Sequence, residues 1–303
     1  MLMTLAGSFG QNHLKNETIP SVTGLKILSW NIYMLPYISL FNKNGDRAKL
    51  IGQQLKDSDY QIIVFQEAFS SKCRNILKRE LSASFPYQYG PANMPLTPLR
   101  TSSGLWVVSK LPLTLLKSIR FKHATSFDRI AHKGAALFEG EFNGNKFQLL
   151  ATHLQSENPD RIAAGQCREI SALLKEFYTP NEPQLLCGDF NTEMSDYKNY
   201  TQMLQTLDAD NGKLDGKLQS TYDERNNTLI AKPQGKSEII DYILTRNTHL
   251  IDKINRNIVE FYHHDNAIQT HLSDHYAMEA VVQFVPRPNG YAPAVFHANL
   301  EIK

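Results

Sequence analysis

The sequence predicts an α+β sandwich built as one domain, and three observations predict it. Short apolar runs of strand length recur along the whole chain, stretches with helical apolar spacing separate several of them, and no repeat, low-complexity tract or linker divides the 303 residues. The folded part is expected to cover residues 25–285 as a catalytic domain, preceded by a pattern-poor polar arm over 1–24 and followed by a Pro- and Asn-rich tail over 286–303.

Taken in order, residues 25–31 (Leu-Lys-Ile-Leu-Ser-Trp-Asn) alternate apolar and polar like a half-buried strand. Ala48, Leu50, Ile51 and Leu55 recur at helical spacing and predict an amphipathic helix over 46–55. Residues 62–67 form an apolar strand that ends in Gln66-Glu67. A helix is predicted over 74–81, a proline-rich loop from Phe85 onward, and another strand over 104–109. Residues 134–138 and 147–153 read as a hairpin about Asn143-Gly144-Asn145. Ile162, Ile170, Leu173, Leu174 and Phe177 predict a helix over 160–177. A buried strand begins at Leu185, a long polar region of short pieces fills 192–238, and strands follow at 239–244 and 275–284.

Composition narrows the classes of function. A hydrophobic fraction of 42%, with 10% aromatic residues, supplies a sizeable core. Thirty-two basic residues against 30 acidic ones leave a net charge of +2, which gives no general support for a protein that coats a polyanion. Cys73, Cys167 and Cys187 cannot all pair with one another and lack CxxC spacing, so free buried thiols are expected and a zinc site is not. No apolar run approaches the ~20 residues of a membrane-spanning helix. The first ten residues lack the basic flank and long apolar core of a full signal peptide. A soluble protein is expected, with secreted and cytoplasmic locations both open.

The stretch with the most chemistry is Leu185-Leu186-Cys187-Gly188-Asp189-Phe190-Asn191. In extended geometry Asp189 and Asn191 leave the same face of the strand, and Gly188 lets the backbone turn or approach a ligand closely. An acid beside a carboxamide at a strand end suits ordering of a metal, a water and a phosphate oxygen. Other polar residues gather at strand ends as well: Asn31, Glu67, His153, Asp241, Asp274 and His275. Asp241 lies inside Ile239-Ile240-Asp241-Tyr242-Ile243-Leu244, where a carboxylate needs a partner to offset desolvation. An imidazole is a natural one, since the carboxylate fixes its tautomer and supports its basicity.

As an ordered set, Ser29-Trp30-Asn31, Phe65-Gln66-Glu67, Thr152-His153, Gly188-Asp189-Phe190-Asn191, Ile240-Asp241-Tyr242 and Ser273-Asp274-His275 resemble the successive motifs of the endonuclease/exonuclease/phosphatase superfamily. The resemblance spans residues 25–284. It implies a four-layer α/β sandwich of the DNase-I-like type, with two mostly antiparallel sheets flanked by helices, and Mg²⁺-dependent cleavage of a P–O ester bond. It implies Glu67 and Asn31 as metal ligands, and His275, oriented by Asp241 beside Asp274, as the group that activates water. Asp189 and Asn191 would position the nucleophile and the phosphoryl oxygens. His153 would stabilise the phosphoryl group or protonate the leaving oxygen.

Within the superfamily, Gln66-Glu67-Ala68-Phe69, the Gly104 to Leu113 segment, Asp128-Arg129-Ile130-Ala131-His132-Lys133-Gly134, Ser220-Thr221-Tyr222-Asp223 and Ser273-Asp274-His275-Tyr276 resemble the neutral sphingomyelinase branch. That branch implies Lys133 near the phosphate and a phospholipid substrate met at a membrane surface, with no protein partner implied. Secreted bacterial members insert an aromatic hairpin into the membrane. Between Leu244 and Ser273 this chain offers only Phe261-Tyr262 in a polar setting, with the loop over 87–99 as a substitute. The alternative reading is a metal-dependent deoxyribonuclease of the same superfamily, with nucleic acid as partner.

Overall fold

Backbone hydrogen bonding in the computed structural model gathers most of the strands into two mixed sheets. Residues 24–35, 43–94, 101–124, 131–156, 159–231, 233–265 and 268–286 are described. The first sheet runs β12 (Ile251–Val259), β15 (Ala277–Phe284), β1 (Leu25–Asn31), β2 (Ile62–Gln66), β4 (Trp106–Ser109), β3 (Tyr87–Tyr89). The second runs β11 (Asp241–Arg246), β8 (Gln184–Asp189), β7 (Asn145–His153), β6 (Gly134–Phe142), β5 (Leu113–Arg120). Two small hairpins, β9 (Tyr222–Asp223) with β10 (Ser237–Glu238) and β13 (Tyr262–Asp265) with β14 (Ile268–His271), stand apart from them.

Helices complete four layers. Helices α1 (Asn44–Leu55) and α2 (Ser71–Leu81) pack Ala48, Ile51, Leu55, Leu77 and Leu81 against Leu28, Trp30, Ile63 and Phe65 of the first sheet. Helices α3 (Pro159–Glu176) and α4 (Tyr197–Leu207) bring Cys167, Ile170, Leu174, Met203 and Leu207 to the second. Ser70 caps α2 by accepting from the Cys73 amide, and Asp196 caps α4 by accepting from the Asn199 amide. The three cysteines are free and buried, as expected.

Strand β1 departs from the half-buried expectation. Leu25 and Ile27 enter the core between the sheets, Leu28 and Trp30 enter the core under α1 and α2, and Ser29 and Asn31 are buried as well. A strand buried on both faces needs no polar side, so its alternation marks two cores rather than core and solvent. The elements that the periodicity does not reveal are β3, β5, β12 and the β13–β14 hairpin. Three of these are edge strands, β5 largely exposed and β12 mostly half-buried, so they carry too few inward apolar residues to give a pattern. The hairpin about Asn143-Gly144 is present, with longer strands than the sequence suggests and both turn residues at positive φ, 50° and 76°. Among the described residues no helix is long and apolar enough to cross a membrane.

Two parallel pairs decide where chemistry can occur. β1 pairs with β2, and β7 with β8, so Asn31, Gln66, His153 and Asp189 all terminate at strand ends of the same sense. β11 runs antiparallel to β8 and starts opposite its end, with Asp241 in register with Asp189. β15 runs antiparallel to β1, which brings the segment before it, Ser273-Asp274-His275, back to the end of β1. Gly188 is required by this packing rather than by a turn or a ligand. A Cβ there would lie 2.1 Å from the carbonyl oxygen of Thr152 on β7. Gly188→Ala is therefore expected to lower stability by about 1–3 kcal/mol, the usual cost of overpacking. Urea unfolding reads this directly, and an unchanged midpoint would show that β7 yields without cost.

Candidate active site

Asp189 stands at the centre of the polar end of the sandwich. Its Oδ2 accepts from Asn31 Nδ2 at 3.1 Å and lies 3.5 Å from His153 Nε2 and 3.9 Å from His275 Nε2. Its Oδ1 accepts from the Asn191 amide at 2.9 Å. One carboxylate thus touches groups from β1, β7 and the segment before β15. Asn191 does not share its face in extended geometry. It sits past the strand in the left-handed region (φ 47°), and its Nδ2 donates to the Leu154 carbonyl at 3.1 Å, tying the two loops together.

His275 Nδ1 donates to Asp241 Oδ2 at 2.8 Å, which turns Nε2 towards Asp189. The pair is fixed by neighbours that the sequence reading passes over. Thr221 Oγ1 accepts from the amides of Ile240 and Asp241, and Trp30 Nε1 donates to the His275 carbonyl at 2.9 Å. Ser273 Oγ donates to the Asn31 carbonyl at 2.6 Å, and Asn227 Nδ2 donates to the Ser273 carbonyl. Arg47 of α1, buried, donates to the carbonyls of Ile32, Tyr33 and Leu272, so one guanidinium joins the loop after β1 to the segment before His275. An arginine beside the apolar face of a predicted helix is the signal that identifies it.

Lys133 is buried rather than a surface lysine. Its Nζ donates to the Leu154 carbonyl (2.9 Å) and meets His153 Nε2 at 3.0 Å. Asp128, Arg129 and Ile130, from the same motif, lie outside the described residues, as do 95–99 of the loop offered as a membrane device and the arm and tail up to residue 23 and from 287. Glu67 follows β2 at φ 55°, a strained conformation for a non-glycine residue.

The two histidines are driven apart in proton affinity. Burial lowers His275, but Asp241, Asp189 and Asp274 outweigh it and hold the imidazole well above its ordinary range. Burial, then Lys133 and His275, hold His153 well below that range, so it is a neutral imidazole. Burial, with Asp274 next in weight, pushes Glu67 up to about 7, and burial, with Asp241, pushes Asp189 up to about 6.

These carboxylates suit a divalent cation. Glu67 Oε2 is buried with no hydrogen-bond partner among the described residues, and Asp274 adds negative charge beside it, so a hard cation would satisfy both the orphan oxygen and the repulsion. Asp189, Asp241 and His275 also each bring a donor atom within 4.8 Å of the others. A DNase-I-like sandwich that ends in buried carboxylates, paired histidines and a place for a cation defines a metal-dependent phosphodiesterase.

The comparisons agree. Residues 28–275 match the Endonuclease/Exonuclease/phosphatase family, and the chain belongs to it. A phospholipase C of Staphylococcus aureus is 30% identical over 92% of this chain and 93% of that protein. A sphingomyelinase C of Leptospira interrogans is 29% identical over 82% of this chain, which spans about half (49%) of that longer protein. The crystal structure of a beta toxin variant from Staphylococcus aureus with bound magnesium ions superposes with a TM-score of 0.74 at 26% identity, covering 86% of this chain and 99% of that one.

A proton on Glu67 competes with a cation. Because this carboxyl titrates near about 7, divalent affinity is expected to rise with pH, by up to about tenfold per unit below 7, and to level off above it. Calorimetric titration of MgCl₂ into the chelator-treated protein at pH 6, 7 and 8 measures this. A flat profile would remove Glu67 from the ligand set.

Proposed function

We propose that the protein is a Mg²⁺-dependent phospholipase C that hydrolyses sphingomyelin, or a related choline phospholipid at a membrane surface, and releases phosphocholine. The observation that carries the reading is the Asp241–His275 pair, whose free Nε2 faces the Asp189 carboxylate that also meets Asn31 and His153. The likeness to a phospholipase C across nearly both chains supports the substrate class.

Glu67 and Asn31 would hold the metal, with Asp274 contributing charge, and a bound Mg²⁺ would offset the negative charge of the phosphate. His275 Nε2 takes a proton from the attacking water while Asp241 fixes its tautomer and stabilises the imidazolium. Asp189 and Asn191 orient the water and the phosphoryl oxygens. The new P–O bond forms as the bond to the lipid oxygen breaks. His153 is too weak a base to carry a spare proton, so it acts by accepting from Lys133. The Lys133 ammonium faces the charge developing on the leaving oxygen and gives it a proton as the bond breaks, while the proton from water stays on His275 until both groups are reset.

His275→Ala is expected to lower kcat by ~10² to 10⁴ without loss of the fold, the usual contribution of a general base. The assay is release of phosphocholine from sphingomyelin vesicles with Mg²⁺, with circular dichroism as the fold control. Unchanged turnover would sink the assignment of His275. Nicking of plasmid DNA by the same preparation, without phosphocholine release, would transfer the enzyme to the nuclease reading.

Lys133→Met is expected to cost more with a poor alkoxide leaving group than with a p-nitrophenolate. Phosphodiesters of the two kinds, compared in wild type and variant, measure that difference. Equal losses on both would place Lys133 on the phosphoryl oxygens instead.

A further inference from the structure

We propose that Tyr33, Tyr222 and Glu224 form a subsite for a quaternary ammonium group, placed so that the site as a whole is complementary to a zwitterion. The inference rests on the phosphocholine reading and specifies which residues select that headgroup.

Tyr222 lies in β9, and an isolated bridge joins it to His275. Its ring centroid is 5.2 Å from that of His275 at 59°, so the phenol borders the imidazole proposed as the base. It is half-buried, and its hydroxyl reaches towards Glu224 Oε1 at 3.5 Å. The Glu224 carboxylate is half-buried and fixed, because its Oε2 accepts from the amides of Gln234 (2.6 Å) and Lys236 (3.1 Å). Lys236 does not neutralise it through a direct pair, since the ammonium is engaged by Glu193.

Tyr33 follows Asn31 by two residues and occupies the left-handed region (φ 49°), uncommon for an aromatic residue. Its amide donates to Asn31 Oδ1 at 3.2 Å and its carbonyl accepts from Arg47 Nη1, so the strained conformation is held from both sides. The Arg47 guanidinium lies 5.8 Å from the centroid of the Tyr33 ring, and burial, then Asp274, with Tyr33 a smaller contributor, raise the proton affinity of the Tyr222 phenol.

Strand order puts this cluster away from the Lys133 ammonium. Lys133 precedes β6, and the second sheet then passes through β7 and β8 to β11, whose Asp241 holds His275 against Tyr222. At ~4.8 Å between strands, three steps separate the two ends by roughly 14 Å, with Asp189 between them. A basic end and an acidic, aromatic end flanking the reacting centre match a phosphate ester bearing a cation. A methylated ammonium cannot donate hydrogen bonds and is recognised by ring faces and carboxylates at van der Waals range. A nucleic acid backbone has no such cation to offer.

Phosphocholine, phosphoethanolamine and inorganic phosphate, titrated calorimetrically into the Mg²⁺-loaded full chain, test the subsite. Wild type should bind phosphocholine more tightly than phosphoethanolamine. Tyr222→Leu should weaken phosphocholine between about twofold and thirtyfold, the range of cation–π contacts. It should leave inorganic phosphate unchanged, and Tyr222→Phe should restore phosphocholine affinity. Glu224→Gln, a substitution outside the core, should also weaken phosphocholine selectively. Equal wild-type affinity for the two headgroups, or losses that extend equally to inorganic phosphate, would overturn the proposal. Selective binding that depends on Tyr222 and Glu224, in a protein that fails to turn over sphingomyelin, would uphold the subsite and count against the proposed reaction alone.

Discussion

The carboxylate of Asp189 is the group on which the sandwich converges, and its burial sets conditions that the surrounding chain must meet. An ionised carboxylate with almost no solvent contact is costly unless several donors and opposite charges surround it. Here two donors arrive from different elements, the Asn31 carboxamide from the first sheet and the Asn191 amide from its own loop, and two imidazole edges, from β7 and from the segment before β15, stand 3.5 and 3.9 Å away. Because one of these comes from the other sheet, satisfying Asp189 also fixes how the sheets meet at this end. The close approach of β7 to β8, which only glycine at 188 permits, is what brings His153 within reach.

From that centre the two histidines acquire different chemistry without differing in burial. His275 is surrounded by Asp241, Asp189 and Asp274, and His153 by Lys133 and by His275 itself. The same desolvation acts on both, and the neighbouring charges decide the outcome. The imidazole beside carboxylates gains affinity for a proton, while the one beside the ammonium loses it and becomes a neutral acceptor for Lys133. The contrast between the two histidines thus follows from which strands flank each of them.

Much of this arrangement was legible in the sequence. Asn31, Glu67, His153, Asp189, Asp241 and His275 each end or begin an apolar run, and strand ends of matching sense must meet in a layered fold. Lys133 was legible only as part of a motif, since a lone lysine before a glycine says nothing of its burial. The same-face geometry expected for Asp189 and Asn191 was not realised, because the strand stops at Asp189 and the chain turns through a left-handed residue. Thr221 and Trp30 act through backbone carbonyls and amides far away in sequence, which no local pattern encodes, and Arg47 shows only as a charge beside the apolar face of a predicted helix. The edge strands β3, β5 and β12 were hidden for the opposite reason: few of their residues are fully buried, so the apolar periodicity that reveals a strand is weak.

The segment Ser273-Asp274-His275 shows why substrate choice and catalysis are hard to separate in this molecule. Thr221 holds the Asp241 amide and, through its carbonyl, the amide of Tyr276, so the β9 strand that carries Tyr222 is attached to both members of the Asp241–His275 pair. Asn227, from the same polar region, secures Ser273, which in turn secures the carbonyl of Asn31. A region with little apolar pattern of its own therefore takes its shape from the catalytic segment and returns rigidity to it. Any change that retunes the surface around Tyr222 for another headgroup must pass through contacts that orient the proposed base, so altered specificity in this region carries an altered pH–rate profile with it.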